Sequence, residues 1–217
     1  FSNKCKHVIM KLKGCEIMHK LACPKCHSSL IQIDKSYRCH NNHCYDIAKY
    51  QYINLLLNPD KSTNNPGDNK ESLLCRKAYL NQGYYDVILN EVCQYIKKHF
   101  HENMHILDLG CGEGYYTYCL KKELGEQTTL YGLDISKDGI IMATKYTKDI
   151  YWIVGNSKNI PIQDHSLDVI TALFTVVNVD EIQRCLKSDG YMIHVTANNK
   201  HLIEFKELIY DEVKVKS

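Results

Sequence analysis

An α/β chain is predicted, in which a small cysteine-rich module precedes a parallel sheet. Three observations predict it. Two knuckles, Cys23-Pro24-Lys25-Cys26 and Cys39-His40-Asn41-Asn42-His43-Cys44, stand twelve residues apart. A short apolar run, Leu107-Asp108-Leu109, breaks into glycines at 110, 112 and 114 and reads on as a helix. Beyond it apolar runs alternate with helical patterns, which is the signature of parallel strands joined by crossover helices.

Composition bounds the rest. The 217 residues are 44% hydrophobic, and no run approaches the roughly 18 to 20 apolar residues needed to span a bilayer, so a soluble, cytoplasmic protein is expected. The 11 cysteines are odd in number and scattered through a chain long enough to build a core, which favours thiols and metal ligands over disulfides. Residues 1–100 carry net charge +7 and residues 101–217 net −5. A basic front before an acidic back suggests a polyanionic partner for the front, because phosphate neutralisation dominates nucleic-acid affinity. Phe1 is not a start residue, and residues 1–20 read as an upstream extension with Met10 or Met18 as the natural start.

Residues 21–57 are expected to form a zinc ribbon. Two cysteines two apart on a tight turn can aim both thiolates at one ion, and a second knuckle completes a tetrahedral site. Cys23, Cys26, Cys39 and His43 are assigned, with Cys44 and His40 as rival fourth ligands. Leu30–Ile33 and Ser36–Arg38 would be the strands between the knuckles, too short to stand without metal. The aromatic stretch Tyr45 to Leu56 is expected to pack on the ribbon, with its tyrosines as alternative stacking surfaces for unpaired bases.

Residues 58–83 form a linker and helix, and residues 84–217 the cofactor domain. Asn58 to Lys70 is rich in turn formers, while Glu71–Tyr79 and Tyr84–His99 have helical spacing, broken at Asn81-Gln82-Gly83. Met104–Leu109 is a buried strand and Glu113–Leu124 its following helix. Strand 128–134 ends in Asp134, about twenty residues on, where a carboxylate can accept both hydroxyls of a ribose. The glycine spacing is neither the dinucleotide fingerprint nor a phosphate loop. Strands at 150–154, 167–173 and 191–196 and helices at 137–145 and 180–186 complete the alternation, with a turn at Lys187-Ser188-Asp189-Gly190 and a last helical pattern at 201–213. Asn156 and Ser157, just past the third strand, stand where an adenine edge would be read.

The order of motifs then becomes recognisable. Asp108-x-Gly110-x-Gly112-x-Gly114 followed by Asp134 resembles the first two motifs of the S-adenosylmethionine-dependent methyltransferases, with their Rossmann-like class I sheet. Joined to the zinc knuckles, Pro66-Gly67-Asp68, Arg76-Lys77-Ala78-Tyr79-Leu80 and Gly83-Tyr84-Tyr85, it resembles the bacterial 23S ribosomal RNA (guanine-N1)-methyltransferases of the RlmA type. The resemblance implies methyl transfer from S-adenosyl-L-methionine to N1 of a guanine in a large-subunit ribosomal RNA hairpin; some members of the family confer macrolide resistance. It implies Zn2+ on Cys23, Cys26, Cys39 and His43, which sets Cys44 aside. It implies cofactor contacts at Tyr85, Asp108, Gly110, Gly112, Glu113, Asp134, Asn156, Ser157 and His201. A homodimer is a further expectation.

Two departures stand out. After the fourth strand the family carries an aromatic followed closely by a proline, where this chain reads Leu173-Phe174-Thr175-Val176-Val177-Asn178. Relatives also continue for several dozen residues, so the chain reads as a fragment lacking the last antiparallel strands. No residue is assigned as the catalytic base. The rival readings are a methyltransferase acting on a small molecule or protein, and a non-catalytic zinc-ribbon fragment that binds RNA.

Overall fold

The computed structural model describes residues 19–57 and 66–198. Expectations for residues 1–18, for most of the linker and for the helix at 201–213, including His201, lie outside the described residues.

The ribbon is a three-stranded antiparallel sheet of β1 (Ile31–Ile33), β2 (Ser36–Arg38) and β3 (Cys44–Asp46), in that order. The chain then enters β4 (Tyr52–Asn54), α1 (Lys70–Leu80), α2 (Asp86–Lys98), β5 (His105–Leu109), α3 (Tyr115–Leu124), β6 (Thr129–Asp134), α4 (Lys137–Ala143), β7 (Ile150–Val154), β8 (Leu167–Leu173), α5 (Val179–Cys185) and β9 (Leu186–Val195). The second sheet has the order β4-β7-β6-β5-β8-β9, and all five pairings are parallel. The crossovers run to one side of β5 for β6 and β7 and to the other for β8 and β9. That reversal opens a crevice at the carboxyl ends of β5 and β8, where ligands of doubly wound sheets sit.

Side-chain alternation divides the core between the two faces of this sheet. Ile106, Leu130, Trp152 and Val169 face α2, α3 and α4, meeting Leu89, Ile96, Leu120 and Ile140. Leu107, Leu109, Tyr131, Leu133 and Ile170 face the other way, and what covers them is the ribbon, through Leu21, Leu30 and Tyr37, together with Ile182 and Cys185 of α5. The ribbon therefore packs where a doubly wound fold would place helices.

Two expectations change. The stretch Tyr45 to Leu56 does not stay on the ribbon: Tyr45 lies in β3, but β4 crosses to the large sheet and pairs with β7, Tyr52 opposite Trp152. A three-residue strand carries too little alternation to declare which sheet it joins. The turn at Lys187 to Gly190 lies instead inside β9, where the register against β8 slips from Leu167↔Leu186 to Val169↔Tyr191. Four residues face one, a bulge. Lys187 Nζ uses it to reach Asp168 Oδ1 at 2.6 Å. No described helix is long and apolar enough to cross a membrane.

Candidate active site and metal centre

The metal centre begins with two tight turns. His27 N donates to Cys23 O at 2.8 Å and Asn42 N to Cys39 O at 3.0 Å, with His27 and Asn42 in the left-handed region. These turns bring Sγ of Cys23, Cys26 and Cys39 and one ring nitrogen of His43 within 4.8 Å of one another. His43 Nδ1 stands 3.4, 3.5 and 3.4 Å from the sulfurs of Cys23, Cys26 and Cys39, and the Cys26 and Cys39 sulfurs are 3.7 Å apart. A tetrahedron with zinc bond lengths has edges of about 3.8 Å between sulfurs and about 3.5 Å from sulfur to nitrogen. The donor set therefore fits Zn2+ in both chemistry and spacing. Cys44, the rival ligand, is exposed on β3 outside this group. The hydroxyls of Ser28, 3.0 Å from Cys26 Sγ, and Tyr45, 3.2 Å from Cys23 Sγ, are placed to donate to thiolates.

The second site is a cavity of about 670 Å³ at the crevice beyond β5. Its floor is the glycine turn. Gly110 N and Cys111 N donate to Leu133 O, closing the turn against β6. Gly110 and Gly114 both have positive φ, and a β-carbon would strike Thr175 at the first and Ala143 and Trp152 at the second. Asp134 ends β6 with both oxygens tied to backbone: Gly112 N donates to Oδ2 at 2.8 Å and Ser136 N to Oδ1 at 2.7 Å. Each oxygen keeps a lone pair for a ribose hydroxyl.

Glu113 is buried at the start of α3, where its Oε2 accepts from Tyr115 N at 3.0 Å and so answers the positive end of the helix. Its Oε1 has no partner among the described residues, nor has the hydroxyl of Tyr116. Both residues line the cavity. Burial pushes the carboxyls of Asp134 and Glu113 up, tempered by their backbone N–H partners. A cavity with buried carboxyls and orphaned polar atoms suits a ligand with cationic groups and hydroxyls, and S-adenosylmethionine carries a sulfonium, an ammonium and a ribose diol. The residues fit the cofactor.

The structure sorts the remaining expected contacts. Tyr85, Gly110, Gly112, Glu113 and Asp134 line the cavity together. Asp108 lies beneath it: Thr117 Oγ1 donates to Oδ2 at 2.5 Å and Thr171 Oγ1 to Oδ1 at 2.8 Å, so its carboxyl braces α3 and β8. Burial raises its pKa to about 6. Asn156 and Ser157 fall outside the lining; Asn156 Oδ1 instead accepts from Lys158 N at 3.0 Å within its own turn. Sequence reasoning assigned no role to Asp68, Arg76 or Tyr79, which also line the cavity. Arg76 Nη2 meets Asp68 Oδ2 at 2.7 Å, and Ser136 Oγ donates to Asp68 O at 3.0 Å, so the Pro66-Gly67-Asp68 loop and α1 form one wall. The signal was present in the motifs quoted above, but nothing in their spacing tied them to a strand end.

Comparison with known proteins agrees with this geometry. A family profile described as a methyltransferase domain matches residues 100–216, and one described as the N-terminal zinc ribbon of RlmA matches residues 21–63. The chain is 32% identical to YxjB of Bacillus subtilis (strain 168), named as a candidate 23S rRNA (guanine-N1)-methyltransferase, over 88% of this chain and 68% of that one. It is 25% identical to the 23S rRNA (guanine(748)-N(1))-methyltransferase of Streptomyces fradiae, over 89% of this chain and 69% of the relative. In fold it resembles a candidate S-adenosylmethionine-dependent methyltransferase of Methanococcus maripaludis, with TM-score 0.51 and 23% identity over 69% of this chain and 74% of the other. With a fitted zinc site, a fitted cofactor cavity and relatives matching through both, the chain belongs to the S-adenosylmethionine-dependent 23S rRNA (guanine-N1)-methyltransferase family.

Proposed function

We propose that this chain methylates N1 of a guanine presented in a hairpin of 23S ribosomal RNA. The observation that carries the reading is the cavity lined by Asp134, held by Gly112 and Ser136, and by Glu113 and Tyr116 with their orphaned Oε1 and hydroxyl, on a sheet whose other face is covered by a zinc ribbon. The cofactor, held by Asp134, Glu113 and Tyr116, would supply an electrophilic methyl group to N1 and be left as a neutral thioether, with the N1 proton passing to solvent.

What the chain contributes is alignment. Asp134 takes the ribose, with its carboxylate direction fixed by two backbone donors. Glu113 and Tyr116 take the polar groups at the methionine end, beside the Arg76 and Lys77 charges that offset the burial of Glu113. Tyr85 and Leu173 wall the side toward the acceptor. The ribbon holds the RNA by phosphate and shape through Lys25, Lys35 and Arg38, while its zinc fixes the backbone that carries them.

The test combines calorimetry with S-adenosylmethionine and mapping of the nucleotide labelled in undermethylated ribosomal RNA. Asp134→Ala, which removes both ribose acceptors and leaves two backbone N–H groups unpaired, should weaken cofactor binding by about 10- to 100-fold. Incorporation into a small-molecule or protein acceptor, with none at guanine N1, would replace this reading by the rival methyltransferase. A chain that takes up no cofactor would be a binding fragment.

A further inference from the structure

The mouth of the cofactor cavity carries a series of aromatic rings, most of them open to solvent. Tyr79 near the end of α1, Tyr84 and Tyr85 before α2, and Phe174 just past β8 form a continuous chain: the ring centroids are 5.0 Å apart for Tyr79 and Tyr84, 5.9 Å for Tyr79 and Tyr85, and 5.6 Å for Tyr85 and Phe174. Tyr79, Tyr85 and Phe174 line the cavity, so the chain of rings begins at the cofactor and runs outward. Yet Tyr79, Tyr84 and Phe174 are 51%, 65% and 44% exposed, too much for their own burial to account for them.

Phe174 is the informative member. Its φ is +59°, a left-handed conformation that a bulky side chain rarely adopts, and burial cannot be the reason for a ring so open to water. Neighbours hold it there. Phe174 N donates to Val195 O at 2.8 Å, and the next side chain, Thr175, occupies the space that the missing β-carbon of Gly110 leaves free. Tyr85 stands nearly perpendicular to it at 83°. Backbone strain kept at the rim of a ligand cavity indicates a ring positioned for something that arrives.

The reading above requires a guanine to reach the methyl group from outside, and a base leaves its stack at a cost that stacking in the pocket can offset. We propose that Phe174 stacks on the extruded target guanine and that the tilted Tyr79–Tyr84 pair stacks on a neighbouring unpaired base. This rests on the reading of the acceptor as an RNA base. It assigns base positioning to the stretch in which the chain lacks the proline of its family. Flat, uncharged rings in series favour single-stranded purines over a protein segment, which would ask for a groove with polar partners along its backbone.

The experiment measures equilibrium binding and methylation of an undermethylated 23S rRNA hairpin by the full chain and by Tyr84→Leu, Phe174→Leu and Phe174→Tyr, each over a salt series. Tyr84 lies outside the cavity lining, so Tyr84→Leu should leave cofactor affinity by calorimetry unchanged. Tyr84→Leu and Phe174→Leu should each weaken RNA binding by about 5- to 150-fold, the range for one lost base–aromatic stack, and Phe174→Tyr should restore it. The slope of log affinity against log salt should not change, because no phosphate contact is removed. RNA affinity unchanged in both leucine variants overturns the inference while leaving the methyltransferase reading intact, and so does a loss confined to binding of a protein partner. A wild-type chain that binds cofactor but neither binds nor methylates RNA overturns both.

Discussion

The two faces of the large sheet are covered in different ways. On one, α2, α3 and α4 bring Leu89, Ile96, Leu120 and Ile140 onto Ile106, Leu130 and Trp152, and the contact is area against area. On the other, the cover is a ribbon whose strands are three residues long, with Ile31 and Ile33 of β1 half exposed. Such strands cannot hold their own shape. Four ligand atoms around one ion do it for them, and the ribbon then presents Leu21, Leu30 and Tyr37 to Leu107, Leu109 and Tyr131. One face is stable because of what it buries, the other because a metal lets it bury anything. The lesson is that the zinc supports the cofactor sheet as well as the ribbon.

The sharpest way to break that contrast is to remove the metal. Structural zinc binding contributes about 10 to 16 kcal/mol in small zinc modules, comparable with the whole stability of an ordinary domain. Chelation, or Cys39→Ser, should therefore lower the Tm of the entire protein in one transition and weaken S-adenosylmethionine binding along with RNA binding. Differential scanning calorimetry with parallel cofactor titration checks this. Retained cofactor affinity in the stripped protein would show two independent modules, and the shared core on the ribbon face would have no energetic meaning.

That shared core is the part the sequence conceals. The β5–α3–β6 unit is legible because its periods switch from two to 3.6 at a glycine turn, and the knuckles are legible because ligand chemistry dictates spacing. By contrast, Tyr52-Ile53-Asn54 has no pattern that separates a ribbon strand from an edge strand of the large sheet. Lys187-Ser188-Asp189-Gly190 has the composition of a turn because a bulge needs the same residues. Asp134 followed from its place at a strand end, whereas Asp68 and Arg76 reach the cavity only through tertiary packing of α1, which local spacing cannot express. Asn156 and Ser157 lie past β7 but outside the cavity lining, and Asn159 in the same turn reaches the ribbon, its Nδ2 donating to Pro24 O at 3.0 Å.

A milder break acts on that seam. Arg184 of α5 donates to Ile160 O at 2.7 Å, Ile162 O at 2.8 Å and Asp164 Oδ1 at 2.6 Å, and pairs with Glu181 at 2.7 Å. The loop it holds receives the ribbon: Ala22 N donates to Pro161 O at 2.9 Å, and Leu21 bridges Ile162. Arg184→Met keeps the stem but strands Glu181 and two carbonyls, at a cost of about 2 to 4 kcal/mol, or about 5 to 12 °C in Tm. If the seam joins the two regions, zinc should also leave this variant faster in a competition assay with a colorimetric chelator. An unchanged zinc off-rate with a lowered Tm would confine Arg184 to the sheet side.

The smallest expected effect reads the seam by pH. His19 packs against the rings of Tyr37 and Tyr151 at 5.2 and 5.6 Å, and His105 Nδ1 lies 3.0 Å from the Tyr131 hydroxyl, so both imidazoles sit where ribbon and sheet meet. Burial first, and then the Lys20 charge, lowers each pKa to about 4. The unfolded chain takes up protons at these groups from about pH 6.5 downward, while the folded chain does not until about pH 4. Their contribution to stability is thus complete above pH 6.5 and is lost as pH falls through that window, with no further loss below it. His105→Gln removes one of the two titrations and keeps a polar group near Tyr131. With zinc held saturating, its Tm should fall between pH 6.5 and 4.5 by about 3 °C less than that of the wild type. Parallel curves would mean that His105 is already solvated, and that the ribbon seals this face less tightly than the helices seal the other.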